Sequence, residues 1–255
     1  MRWNIGYFGV KDLFTTINLI GGTVGIHYAV QGNLEYAGYA AFGGFLFGDA
    51  LDGPVARITN SGNKFGSEYD RIVDHLSQTV TPAIMLYKAY EQMGHAWVGI
   101  AVMTVILMAA SVRHARGMTD EFHFPVGFFG MNRTASGILY LALPNSELFW
   151  KMHPWAFEIG IAMTILMSIL NLAPIPFLSH RPKGRRMQWY VKIGVWSFVF
   201  APFVLFFVAR DFVYDSIFFC TFVYAFTAWI PITPQERKEF YAEYRRWNAA
   251  VIAAK

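Results

Sequence analysis

Apolar residues in this chain gather into eight stretches, near 13–31, 36–57, 70–90, 96–113, 134–147, 155–177, 188–209 and 212–232. Most approach the ~20 residues that carry a helix across a ~30 Å hydrocarbon core, and polar residues crowd between them. The pattern predicts an all-α, polytopic membrane helical bundle of about eight spans. The fifth stretch is the least regular, because its apolar core at 139–143 runs directly into Pro144 and Asn145. The first follows Met1, Arg2, Lys11 and Asp12 without a small-residue cleavage site, which reads as a retained span and not as a signal peptide. Gly21 and Gly25 on the first stretch, and Gly44 and Gly48 on the second, are spaced four apart, which lets neighbouring helices approach closely.

Composition alone does not separate a membrane protein from a soluble one, since 55% of the 255 residues are hydrophobic, close to the globular average. A charged fraction of 15% and an aromatic fraction of 18% exclude a disordered chain and a highly charged nucleic-acid binder. The single cysteine, Cys220, cannot form an intrachain disulfide. The net charge of +4 is explained by topology. Eight spans place both termini on one side; if that side is cytoplasmic, only Lys88, Lys151 and Arg210 of the 21 basic residues fall in outer loops. The basic run 181–186 and Arg237, Lys238, Arg245 and Arg246 of the tail then lie inside, beside anionic headgroups. Trp97, Trp150, Trp155, Trp189 and Trp229 sit at or near span ends, as interfacial anchors do. No nucleic-acid partner is needed, and no repeat or long linker divides the chain.

Four carboxylates break the apolar pattern. Asp49 and Asp52 close the second stretch three residues apart, and Asp70 and Asp74 open the third four apart, so each pair shares a helix face. An ionised Asp costs ~2.5–3.5 kcal/mol at mid-bilayer and less near the interface, so four together call for a cation. If the two faces oppose each other across the short loop 58–65, the hard oxygens converge on a volume suited to Mg²⁺ or Mn²⁺, as one ion or two. Gly53 and Ala56 leave room against the backbone, Gly66 lies one turn before Asp70, and Arg57 offers a phosphate-binding fork.

In full the stretch reads Asp49-x2-Asp52-Gly53-x2-Ala56-Arg57-x8-Gly66-x3-Asp70-x3-Asp74. It resembles the signature of the CDP-alcohol phosphatidyltransferase family at all eight defining positions and every spacing. The resemblance implies a six-span core, placed here in residues 1–180, with 181–255 adding a basic loop, two spans and a cytoplasmic tail. It also implies a homodimer whose cytoplasmic pocket holds divalent metals and a CDP-linked lipid such as CDP-diacylglycerol. Within the family the chain is most similar to phosphatidylserine synthases: Leu13 to Leu19 resembles their first span, Phe65 to Tyr87 their third, and Arg113-His114-Ala115-Arg116 their Arg-Leu-Ala-Arg element. It departs from them at Gly117-Met118 and at Gly130-Met131-Asn132-Arg133-Thr134-Ala135, both on the expected acceptor side.

By that resemblance Asp49, Asp52, Asp70 and Asp74 are expected to hold metal, with Asp74 also the base that takes the acceptor's proton. Gly53, Ala56, Arg57 and Gly66 would receive the CDP-lipid, and Asn18 and Thr15, polar groups in an apolar first span, are candidates for the same site or for bonding to their own helix backbone. Arg113, Arg116 and Arg133 would favour an anionic acceptor, a serine carboxylate or a sugar phosphate; L-serine is the first expectation, with glycerol 3-phosphate, inositol phosphate and inositol as alternatives. Two other classes compete. A prenyltransferase would carry two separated aspartate clusters, and a divalent-cation transporter would carry ionisable residues in the middle of several spans. This chain has one cluster and spans four to eight are almost free of charge in their interiors.

Overall fold

The computed structural model describes residues 4–5, 7–119, 122–179 and 189–253; Met1, Arg2 and the basic run 181–186 lie outside them. The described chain is mostly helical. A two-residue pairing of β1 (Asn4–Ile5) with β2 (Phe8–Gly9) leads into α1 (Val10–Val30), α2 (Leu34–Gly44), α3 (Ala50–Thr59), α4 (Lys64–His75), α5 (Thr81–Gln92) and α6 (Ala96–Thr119). Then come β3 (Gly127–Phe129), α7 (Arg133–Ala142), α8 (Glu147–Trp150), α9 (Ala156–Leu172), β4 (Pro176–Leu178), α10 (Trp189–Val208), α11 (Val213–Thr227) and α12 (Pro234–Ala253).

Helix occupies each of the eight expected stretches, with instructive differences. Two stretches are compound: a π-turn at Phe45–Asp49 joins α2 to α3, and another at Leu76–Val80 joins α4 to α5. The stretch expected over 155–177 stops at Leu172, because Ala173 precedes Pro174 and is pushed to extended backbone (φ −63°, ψ 141°). The chain continues into β4, antiparallel to β3. The expected tail is a 20-residue helix, α12, started by a reciprocal cap in which Glu236 accepts from the Thr233 amide (2.8 Å) and Thr233 Oγ1 accepts from the Glu236 amide (3.3 Å). Only α1 and the segment Ala96–Gly117 combine the length and apolarity of a full span among the described residues, and α9 is apolar but shorter.

Burial in α1 is inverted relative to a helix in water. Lys11, Asp12, Thr15, Asn18, Gly22, Gly25 and Ala29 face inward, while Leu13, Ile17, Ile20 and Val24 face outward. A soluble amphipathic helix does the reverse. With lipid outside, apolar side chains lose nothing by exposure, and small residues win the interior by letting backbones close together. A Cβ on Gly21 would sit 2.6 Å from Ala40 O, and one on Gly48 2.7 Å from Phe14 O, so these two glycines are needed for this approach.

The chain divides into two compact units, residues 1–104 with 140–145 and residues 105–139 with 146–255. In the first, α1 packs along α2, α3, α4 and α5. In the second, α10 packs on α11, and α12 lays Phe240 and Trp247 onto the β3–β4 pair, where Phe124, Leu178, Ile232 and Phe240 form a buried cluster. Full burial of a side chain the size of Phe240 contributes roughly 1.5–3 kcal/mol.

Candidate active site

The acids of the first unit are delivered by helix ends. Asp49 is the last residue of the first π-turn and Asp52 lies in the first turn of α3. The chain then reverses in four residues, shorter than expected: Asn60 takes left-handed backbone (φ 48°) to end α3, and the Asn63 side chain caps α4 by accepting from the Gly66 amide at 2.7 Å. Ser61, fully buried, accepts from the Lys11 amide at 3.3 Å and ties this reversal to α1. Asp70 and Asp74 thereby face the first pair.

Asp49, Asp70 and Asp74 each present a carboxylate oxygen within 4.8 Å of the others. Asp52 stands outside that trio. It accepts from Thr15 Oγ1 at 3.0 Å, and together with Asp49 it is the negative charge pressing on Asp70, with Lys11 the opposing positive charge. Asp74 Oδ1 accepts two amide bonds, from Asn18 Nδ2 at 3.1 Å and Gln78 Nε2 at 2.8 Å, and Gln78 Nε2 also reaches Asp49 Oδ2 at 3.0 Å. Thr15 and Asn18 therefore serve the carboxylates, and Thr15 is also within 3.5 Å of the Lys11 carbonyl one turn back.

Two contributors were not anticipated. Gln78, placed by the second π-turn, bridges acids from two helices; its signal was a buried-type amide inside an apolar stretch, one turn after Asp74. Lys11 is 6% exposed, donates to Gly66 O at 2.8 Å and pairs with Asp12 at 3.2 Å. Its side chain fills the space a Cβ at Gly66 would need, 2.5 Å from Lys11 Cε, which gives this glycine a reason within the fold. Arg57 is exposed in the last turn of α3, and Gly53 and Ala56 are half-buried on the same helix.

A divalent ion fits this donor set. Three hard carboxylate oxygens meet, and Asp70 Oδ1, Asn18 Oδ1 and Gln78 Oε1 are buried without a hydrogen-bond donor among the described residues. Oxygens of this kind are what Mg²⁺ and Mn²⁺ take, and they leave the choice of ion open.

In the second unit the arginines bind backbone. Arg113 Nη1 donates to Phe129 O (2.7 Å) and Asn171 O (2.9 Å), and Arg116 donates to Leu172 O (3.1 Å) and Phe129 O (3.0 Å), with its guanidinium 3.7 Å above the Phe129 ring. Asn171 and Leu172 close α9, so the two cations cap carbonyls that the helix leaves unbonded and sit at the negative end of its dipole. Gly130, at φ +73°, turns the chain beneath them, where a Cβ would lie 2.6 Å from Asn171 O. Arg133 begins α7, 3.5 Å from His114 Nδ1.

The family model described as CDP-alcohol phosphatidyltransferase matches residues 9–170, more than half of the chain and all of the acidic motif. The chain belongs to the CDP-alcohol phosphatidyltransferase family. It is accordingly a transferase of phospholipid biosynthesis. A CDP-diacylglycerol–serine O-phosphatidyltransferase of Helicobacter pylori is 25% identical over 197 residues, 76% of this chain and 80% of the relative. The protein of the same description from Methanocaldococcus jannaschii is 28% identical, over 66% of this chain and 73% of its own. A phosphatidylcholine synthase of Rhizobium meliloti is 27% identical over 56% of each chain. The metal-competent trio of this phosphatidyltransferase thus comes from three of the four motif aspartates, Asp49, Asp70 and Asp74.

Proposed function

We propose that this phosphatidyltransferase moves the phosphatidyl group of CDP-diacylglycerol onto the hydroxyl of a small polar acceptor, L-serine in the first place, and releases CMP. The observation that carries the proposal is the meeting of Asp49, Asp70 and Asp74 oxygens within 4.8 Å, at the spacing of the family motif. Serine rests on the likeness to the serine transferases, and the likeness to a phosphatidylcholine synthase puts choline among the acceptors to be tried.

In this reading Asp49, Asp52, Asp70 and Asp74 hold one or two Mg²⁺ or Mn²⁺ ions. Such ions, when bound, neutralise the pyrophosphate charge and stabilise CMP as leaving group. Gly53, Ala56 and Arg57 line the donor side, Gly66 gives Lys11 its place beside the acids, and Asn18 and Thr15 support the site through the carboxylates they bond. The acceptor oxygen forms a bond to the phosphatidyl phosphorus, the bond from that phosphorus to the CMP oxygen breaks, and the hydroxyl proton passes to Asp74. Asp74 enters this step already oriented, because Asn18 and Gln78 fix its Oδ1. By likeness to the serine transferases, Arg113, Arg116 and Arg133 of the second unit are the residues assigned to an anionic acceptor. The protein works as a multi-pass homodimer of about eight spans, with a core in 1–180 and with its site and both termini facing the cytoplasm.

The test is CMP release by purified protein with Mg²⁺ or Mn²⁺, against serine, glycerol 3-phosphate, inositol phosphate, inositol and choline, with the lipid product read by mass. Serine-dependent release of phosphatidylserine is the expected result. Release with a different acceptor alone would replace serine, and absence of metal-dependent CDP-diacylglycerol binding would overturn the donor assignment.

A further inference from the structure

The acidic trio has a difficulty that its ligands alone do not solve. Carboxylates from the end of the first π-turn and from α4 must stand within 4.8 Å of one another before any cation arrives, and like charges at that distance drive each other apart. Something must hold the spacing without itself occupying the ion's place. A lysine would hold it by competing with the ion, whereas a neutral amide would not.

Gln78 meets that requirement. It is 4% exposed and lies inside the π-turn Leu76–Val80, which departs from α-helical register between α4 and α5. Its amide nitrogen donates to Asp49 Oδ2 at 3.0 Å and to Asp74 Oδ1 at 2.8 Å, so one NH₂ group spends both hydrogens on carboxylates from two different helical segments. Only the NH₂ end of an amide can face two acceptors, which fixes the orientation of the group and leaves Oε1 buried with no donor among the described residues. That pairing is also a meeting of the two π-turns, since Asp49 closes one and Gln78 sits in the other. π-turns inside helices are frequent at functional positions, where the altered register re-aims side chains. Asn18 shares Asp74 Oδ1 with it, and Gln78 is the tie between segments.

We infer that Gln78 is a positioning residue of the metal site, holding Asp49 and Asp74 at ligand spacing through its side-chain amide. The inference rests on the proposal that these aspartates bind a divalent cation. Hydrogen-bonding partners of metal ligands typically change metal affinity or activity by 10–100-fold when removed, and loss of the Gln78 amide is expected to weaken Mn²⁺ binding by about tenfold.

The experiment measures Mn²⁺ binding by the loss of the free-ion electron paramagnetic resonance signal, on full-length protein in lipid nanodiscs without substrate. Parent chain, Gln78→Met and Gln78→Asn are compared. The first keeps the length and removes both donors; the second keeps the amide and is one methylene too short to reach both acids. Both are expected to bind Mn²⁺ about tenfold more weakly, with a raised metal requirement for CMP release and an acceptor KM within twofold of the parent. Affinity within twofold of the parent in either folded variant overturns the inference, and so does loss of folded protein in both, which would assign Gln78 to the fold. No Mn²⁺ binding by the parent chain is a different failure, that of the metal reading itself.

Discussion

The aspartates of the first unit and the arginines of the second are held by opposite means. The acids are fixed by side chains, Thr15 on Asp52 and Asn18 with Gln78 on Asp74, and their negative charges are left facing one another. The arginines are fixed by main chain, on the carbonyls of Phe129, Asn171 and Leu172, and each guanidinium ends on partial negative charge. The first arrangement is unsatisfied by itself and asks for a cation. The second is satisfied within the fold, so Arg113 and Arg116 stabilise the protein whatever else they do. Stored repulsion marks the chemistry, and paired charge marks the scaffold.

The sharpest way to break this comparison is at Asp74. Asp74→Asn should lower the CMP-release rate by roughly 10²–10⁴-fold, the range of a lost general base, while Asn18 and Gln78 keep the side chain in place. Parent-like turnover would remove Asp74 from the proton transfer. Next comes Arg116→Met, which takes the arginine donor from the Leu172 carbonyl, leaves the Phe129 carbonyl to Arg113 alone and removes the cation from the Phe129 ring. The expected cost is about 1–3 kcal/mol in unfolding free energy, seen as a lower thermal midpoint, with Mn²⁺ affinity unchanged. An unchanged midpoint would show that the cap is dispensable.

Asp70→Asn should act in the opposite direction. It removes a carboxylate that burial first, and then the charges of Asp52 and Asp49, disfavour, and the metal-free protein should gain on the order of 1 kcal/mol while losing Mn²⁺ binding. A lower midpoint in the metal-free state would contradict the account of stored repulsion. The smallest effect belongs to Glu243 on α12, whose carboxyl is held down to about 2 by its bonds to Arg246, with the His123 amide adding to the effect. A depressed folded-state value means that the contribution is complete above the ordinary value of 4.5 and is lost as the pH falls from there toward 2. Because the pair is exposed, the loss is slight. Thermal midpoints followed from pH 5 to pH 2.5 should fall a little further for the parent than for Glu243→Gln, and parallel curves would dismiss the pair.

The acidic site was legible because each acid needed only its place on a helix: offsets of three and four put each pair on a common face before any tertiary contact is known. The glycines at 21, 25, 44 and 48 were legible for the same reason, as small residues at helical spacing. Gln78 was not, since its partner Asp49 is 29 residues away and meets it only through two π-turns, which leave no mark in a hydrophobic pattern. The arginines were expected to serve an anionic acceptor. Their carbonyl partners lie up to 58 residues away and carry no side-chain signature, because every residue has a carbonyl.

By itself the sequence determined the family, the helical class and the identity of the acids, because local spacing and hydropathy act over a few turns and need no partner. The end of α9 was missed: the expected stretch ran on to 177, although Pro174 stops the helix at Leu172. Tertiary structure alone decided that three acids meet while Asp52 turns to Thr15, that Lys11 rather than open space fills the cradle at Gly66, and that two arginines close a helix. Those outcomes depend on contacts between residues far apart in the chain, where angstrom-scale register decides which donor reaches which acceptor.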